Sequence, residues 1–124
     1  MHRGVALLFS LAAALPAPAA ESPAGRWNLA NVYASVEAWN ADAARLEAQF
    51  RAFSGCRGQL GAGAARLRQC LDERADMTKR YYRLALYAGQ RLAEDTGAAS
   101  SLELDQRADL LGNRLEETTA FVDP

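Results

Sequence analysis

The sequence predicts an all-α protein: three or four antiparallel helices, as a bundle or stacked helical hairpins, following a cleaved signal peptide. Three observations carry this. Ala, Leu, Arg, Glu and Gln, all good helix formers, dominate the chain beyond its first twenty residues, and β-branched residues are scarce. Apolar residues recur at three- and four-residue spacing, and strand-type alternation is missing. No proline stands between Pro23 and Pro124, so nothing in the covalent chain interrupts a long helix.

The N-terminus has the order of an export signal. Met1-His2-Arg3 is a short positive start, and Val5 to Leu15 is a largely apolar run. Pro16 and Pro18 break the run, and Ala17-Pro18-Ala19 puts small residues at both recognition positions of a signal peptidase. A membrane span needs about 20 apolar residues, more than this run offers. The reading is a signal peptide over residues 1–19, a lead-in over 20–34 and a helical domain over 35–124. It implies a periplasmic or secreted chain with no membrane attachment after cleavage.

Cleavage leaves one small domain's worth of chain. The whole sequence has 14 basic and 15 acidic residues, interspersed rather than blocked, which suits solvated helix faces and gives no case for binding nucleic acid. The one histidine, His2, lies inside the signal. No imidazole therefore remains for a metal, a haem or a nucleophile.

Each element follows from local pattern. Arg26 to Ala34 reads as a short irregular or 3₁₀ segment whose aromatics, Trp27 and Tyr33, pack onto the first helix. Ser35 is a suitable N-cap, since its hydroxyl accepts from an otherwise unpaired backbone N–H. Val36, Trp39, Ala43, Leu46, Phe50 and Phe53 then form one apolar stripe, and Gly55 is placed to end the helix in a left-handed conformation. Gly55 to Gly63 is a loop. A second helix begins near Ala64 with Leu67, Cys70 and Leu71 inward, and Met77, Tyr81, Leu84 and Ala88 carry helical spacing on to about Glu94, with or without a break near Asp76. Asp95 to Ser100 is a turn, and Ser100 with Glu103 fits a capping box. The last helix carries Leu104, Ala108, Leu111, Leu115, Thr118 and Val122.

Few residues offer chemistry. Asp72-Glu73 and Glu116-Glu117 are adjacent on helices and point in different directions, so neither is a ready acid–base dyad. Asp76, Lys79, Arg80 and Arg83 read as exposed helix charges. Tyr81, Tyr82 and Tyr87 read as packing residues. A haem site lacks its C-x-x-C-H, and a carboxylate-bridged di-iron site lacks its E-x-x-H.

A set of ordered marks nevertheless resembles a known family. Arg26-Trp27-Asn28-Leu29 followed by Val32-Tyr33 is similar to the W-[DN]-L-x-x-[LV]-[YF] opening of oligoendopeptidase F. Trp39 sits in the first helix, and Gly58-Gln59-Leu60 resembles the family's G-K-L after it. Tyr87-Ala88 and Asp95-Thr96 resemble its Y-A and D-T marks, and Phe121 to Pro124 its F-x-x-P. The resemblance spans about Arg26 to Pro124. It implies a parent zinc metallopeptidase of the thimet-oligopeptidase class, which hydrolyses short peptides in a channel by H-E-x-x-H chemistry. It makes Trp27, Leu29, Tyr33, Trp39, Gly58, Leu60, Tyr87, Asp95 and Thr96 structural marks rather than catalytic ones.

No H-E-x-x-H is present. The expectation is therefore a fragment: an N-terminal non-catalytic part, without catalytic or metal residues of its own, that shapes or covers the channel of a larger enzyme. Its partners would be the missing catalytic domain and, in the parent, an oligopeptide substrate; zinc would belong to the parent. The alternative is a small periplasmic helical protein-binding module, chaperone- or inhibitor-like, with no enzymatic parent. Cys56 and Cys70 are not family marks. In an exported protein they either pair with each other or remain two thiols, with Cys70 buried as a small hydrophobe.

Overall fold

The computed structural model describes residues 27–123; the predicted signal peptide, its cleavage point and the first part of the lead-in lie outside them. The described chain is three α-helices with short 3₁₀ turns, and no strand occurs among these residues. A 3₁₀ turn at Leu29–Asn31 precedes helix α1, Val36–Phe53. A second 3₁₀ turn, Ser54–Cys56, leads through a glycine-rich loop into helix α2, Ala64–Glu94. Helix α3, Ala99–Thr119, follows a tight turn.

Side-chain partners give the topology. Trp39 meets Leu84, Gln49 meets Arg80 and Cys56 meets Cys70, so α1 and α2 run antiparallel. Asp123 meets Arg74 and Gly112 lies against Tyr81, so α2 and α3 are antiparallel as well. Asn40 pairs with Arg107 and Glu47 with Arg114, which sets α1 parallel to α3. α2, with 31 residues and a length of about 46 Å, is the spine of the bundle. It runs unbroken past Asp76.

The core follows the predicted stripes. Trp39, Ala43, Leu46, Phe50 and Phe53 of α1 pack against Cys70, Met77, Leu84, Tyr87 and Ala88 of α2 and Leu104, Ala108, Leu111 and Leu115 of α3. Ser35 caps α1 by accepting from the Ala38 amide at 3.1 Å. Arginines close the edges of the core. Arg107 lies over Trp39 with its guanidinium carbon 4.8 Å from the ring centroid, Arg114 over Phe50 at 5.5 Å and Arg57 over Phe121 at 5.0 Å. Each sets its guanidinium over the face of an aromatic ring, in cation–π contact, while the residue stays exposed to water.

Several local expectations are corrected. Gly55 is not a left-handed cap. Ser54, in right-handed helical conformation, follows α1, and the coil tightens into the 3₁₀ turn that carries Cys56 inward. The left-handed positions are Gly58, φ 74°, and Gly63, φ 143°. Leu67 and Leu71 are exposed; Leu71, one residue past the inward-facing Cys70, is turned about 100° away from it. Ser100 forms no capping box: the N-cap is Ala98, without a side-chain bond, and Ser100 lies inside α3. The next turn of α3 buries Thr119 rather than Thr118. Trp27 does not pack onto α1 but stands 69 % exposed.

Candidate functional site

The densest polar constellation is at the junction of the 3₁₀ turn Leu29–Asn31, the start of α1 and the middle of α2. Tyr33 is drawn under α2 by the turn, whose Val32 and Tyr33 amides both donate to the Leu29 carbonyl. Its hydroxyl donates to Asp42 Oδ2 at 2.5 Å. Asp42 projects from α1 between core residues and is 4 % exposed. Its second oxygen, Oδ1, accepts from Arg80 Nη1 of α2, while Arg80 Nε donates to Gln49 Oε1 at 2.9 Å. Arg83, one turn on, donates to the Val32 carbonyl at 3.2 Å and lies over the Tyr33 ring at 5.2 Å. Arg80 and Arg83 are therefore not simple solvated charges; they tie α2 to α1 and to the lead-in. Single-helix periodicity could not find these pairings, because the partners lie 38 and 51 residues away.

The electrostatics make this junction a clamp rather than a catalyst. Burial, then the hydrogen bond to Asp42 and its negative charge, push the Tyr33 hydroxyl well above its ordinary value of 10.0. It stays protonated at neutral pH and spends its proton on Asp42. Neither Tyr33 nor Asp42 is left as a free base or nucleophile. No buried side-chain nitrogen or oxygen lacks a partner among the described residues.

The family-motif residues divide into groups. Leu29, Tyr33, Trp39 and Tyr87 come together: Tyr33 and Tyr87 stack edge to face at 5.5 Å, Leu29 packs on the same cluster, and Trp39 Nε1 donates to the Leu84 carbonyl at 2.9 Å. Asp95 lies beside them, sharing a shallow depression with Leu29, Tyr87 and Arg91. Its Oδ1 accepts from the Gly97 amide at 3.2 Å, which shapes the α2–α3 turn containing Thr96. Gly58 and Leu60 lie at the opposite end of the bundle, in the loop after α1, with Leu60 partly buried against the core. Trp27 joins neither group.

The cysteines form a disulfide, Cys56–Cys70, with Cα atoms 5.9 Å apart and both residues buried. It anchors the glycine-rich loop to α2. Among the described residues no group of three His, Cys, Asp or Glu is placed to hold a metal ion. No described helix is long and apolar enough to cross a membrane.

A polar groove of about 440 Å³ separates α2 from α3, lined by Arg74, Tyr81, Tyr82, Asp109 and Glu116 among others. Tyr81 has its hydroxyl pushed upward by burial and by the carboxylates of Asp109, Glu116 and Asp105. Asp109 and Glu116 are exposed and Asp105 is half-buried.

The chain is similar to two peptidases. It is 25 % identical over 99 residues to the group B oligopeptidase PepB of Streptococcus agalactiae serotype III (strain NEM316), a match covering 80 % of this chain and 16 % of that protein. It is 29 % identical over 98 residues to the oligopeptidase PepF of Bacillus subtilis (strain 168), covering 79 % of this chain and 15 % of that one. No family model and no solved structure matches. Similarity across four-fifths of this chain and about a sixth of each relative is compatible with a non-catalytic part of an oligopeptidase.

Proposed function

We propose that this chain is the N-terminal helical part of an exported oligoendopeptidase F-like zinc peptidase, contributing to the wall or cover of its peptide channel and taking no part in the chemistry. The observation that carries the reading is the extent of the similarity: 80 % and 79 % of the chain matches only 16 % and 15 % of two oligopeptidases. The saturated Tyr33–Asp42–Arg80 junction supports a scaffold role, because every polar group that could do chemistry there is committed to holding helices together. Zinc and the peptide-cleaving groups would belong to the remainder of the parent, as would the oligopeptide substrate. Export is supported by the Cys56–Cys70 bridge, since disulfides persist in oxidising compartments.

The test is hydrolysis of a quenched fluorescent oligopeptide by purified chain, with and without zinc, followed by addition of the separately produced remainder. The reading expects silence from the chain alone and faster turnover by the remainder when the chain is added. Zinc-dependent, chelator-sensitive turnover by the chain itself would refute it. For export, N-terminal sequencing of secreted material should begin at Ala20 or Glu21; an intact Met1 on membrane-bound protein would refute that part.

A further inference from the structure

The 3₁₀ turn Ser54–Cys56 and the residues after α3 meet at one end of the bundle, joined by a closed ring of contacts. Cys56 is bridged to Cys70 of α2. Arg57, the next residue, sets its guanidinium carbon 5.0 Å from the centroid of the Phe121 ring. Asp123, two residues past Phe121, takes a two-pronged pairing from Arg74, whose Nη1 donates to Oδ1 at 3.0 Å. Arg74 lies four residues, about one turn, after Cys70 on α2. The path therefore runs from Cys70 through Cys56, Arg57, Phe121, Asp123 and Arg74 back to its start.

The bridge is the covalent link of this ring, and the other links are soft. Arg57 is exposed, where a cation–π contact is weak. The Asp123 side chain is 63 % exposed, so water and salt compete for its pairing with Arg74. Residues 120–123 lie outside any helix, and their Val122 amide donates to the Thr119 carbonyl at 2.9 Å. Their order depends on the two soft links acting together, since each one made holds the partners of the other close. Arg57 takes its position from Cys56, because Gly58, with φ 74°, turns the chain away directly after it. Phe53, the last residue of α1 before the bridged turn, meets the same Phe121 ring with centroids 5.4 Å apart. α2 also reaches this turn through an exposed bond from Arg66 to the Gly55 carbonyl at 3.0 Å, for which water competes.

The rest of the bundle does not depend on this end. Trp39 is bonded to the Leu84 carbonyl, and Leu84 lies 14 residues, about 21 Å of α2, beyond Cys70.

We propose that the Cys56–Cys70 bridge is a redox-sensitive latch for the segment that follows α3. Closed, it holds residues 120–123 in place through Arg57 and Phe121. Opened by a dithiol, it releases them while the three helices stay packed. In the opening step one thiolate of the dithiol attacks a bridge sulfur and forms a mixed disulfide, and its second thiol then displaces the protein sulfur. Cys56 and Cys70 end as two protonated thiols, and the dithiol ends as a cyclic disulfide. The inference does not rest on the peptidase reading.

Hydrogen exchange of the purified chain, resolved by amide, tests it with the bridge closed and after reduction by a dithiol. Exchange at Val122 should rise roughly fivefold on reduction, the loss of one exposed cation–π contact. Cys56→Ser with Cys70→Ser should give the same rise without reductant. Arg57→Ala should give it with the bridge closed, and reduction of that variant should add little. Circular dichroism reports whether the helices persist. Exchange at Val122 that ignores reduction overturns the proposal, as does an Arg57→Ala chain that behaves like the native one. Fully additive effects of reduction and Arg57→Ala would show that the bridge does not act through Arg57. A reduced chain that loses its helices also overturns the latch, because release would then be general unfolding.

Discussion

The indole Nε1 of Trp39 donates to the main-chain carbonyl of Leu84 at 2.9 Å across the α1–α2 interface, and both residues are completely buried. The bond fixes the axial register of the two helices at a point where the apolar contacts around it would tolerate sliding. Trp39→Phe removes the donor and leaves a small void. The expected cost is about 2–3 kcal/mol, combining a lost buried hydrogen bond with a partial cavity. Urea unfolding followed by circular dichroism measures it, and an unchanged midpoint would show that the bond does not hold the register.

The Asp42–Arg80 pair should behave as a clamp whose halves depend on each other. Asp42→Ala leaves Arg80 and the Tyr33 hydroxyl without their shared acceptor, at an expected cost of about 2–4 kcal/mol, the lower end because Arg80 is partly open to solvent. Arg80→Met should cost less on an Asp42→Ala background than on the native one. Additive losses in that double-mutant cycle would reject the coupling.

Tyr33 should make stability fall at alkaline pH. Its folded-state hydroxyl is raised above 10.0, chiefly by burial and then by Asp42, so the folded chain holds this proton more tightly than the unfolded chain. The contribution is complete below pH 10.0 and is lost as pH rises toward the folded value. The stability difference between native chain and Tyr33→Phe should be steady from neutral pH to about 9 and shrink above 10. Chemical denaturation across that range decides it; a difference independent of pH would contradict the assignment.

Loss of the disulfide should weaken the fold without abolishing it. The bridge closes a loop of sequence separation 14, for which constraint of the unfolded chain contributes about 3 kcal/mol. Cys56→Ala with Cys70→Ala should lower the stability by about that amount and loosen the glycine-rich loop to proteolysis. The sulfurs are buried, so reductant should open the bridge slowly in the native chain and quickly in denaturant. Equal rates would indicate an accessible bridge.

Gly112 is required by a close approach. A Cβ there would lie 2.5 Å from the Tyr81 hydroxyl oxygen and 2.8 Å from the ring carbon that bears it. Gly112→Ala should therefore destabilise the native chain by about 1 kcal/mol, although alanine is the better helix former. On a Tyr81→Ala background the same change should become stabilising by a similar amount. Thermal melts of the four proteins test the reversal of sign.

Much of the fold was legible in the chain itself. Period determined the class, and the stripe from Trp39 to Phe53 needed only residue spacing, as did the Ser35 cap. α2 ran on through the region where a break was open, because no proline or glycine interrupts residues 64–88. Capping was less legible. Gly55 and Ser100 satisfy helix-end rules, but ends are settled by what the next segment must reach: Cys56 turns inward toward Cys70, and α3 begins at Ala99 with Ala98 as its N-cap, two residues earlier than a Ser100 cap would set it.

The amino-acid sequence by itself determined that this protein is helical, which residues of α1 and α3 are apolar on one face, and that no H-E-x-x-H lies in the chain, because each of these is a property of residues close together along it. Only the tertiary structure decided that Arg80 and Arg83 are clamps, that Tyr33 is buried while Trp27 is exposed, and that Leu67 and Leu71 face outward beside Tyr82 and Leu86. The physical reason is common to all three. A side chain's burial and its charge partner depend on which helix arrives from 30 or more residues away, and periodicity within one helix carries no information about the direction of that arrival.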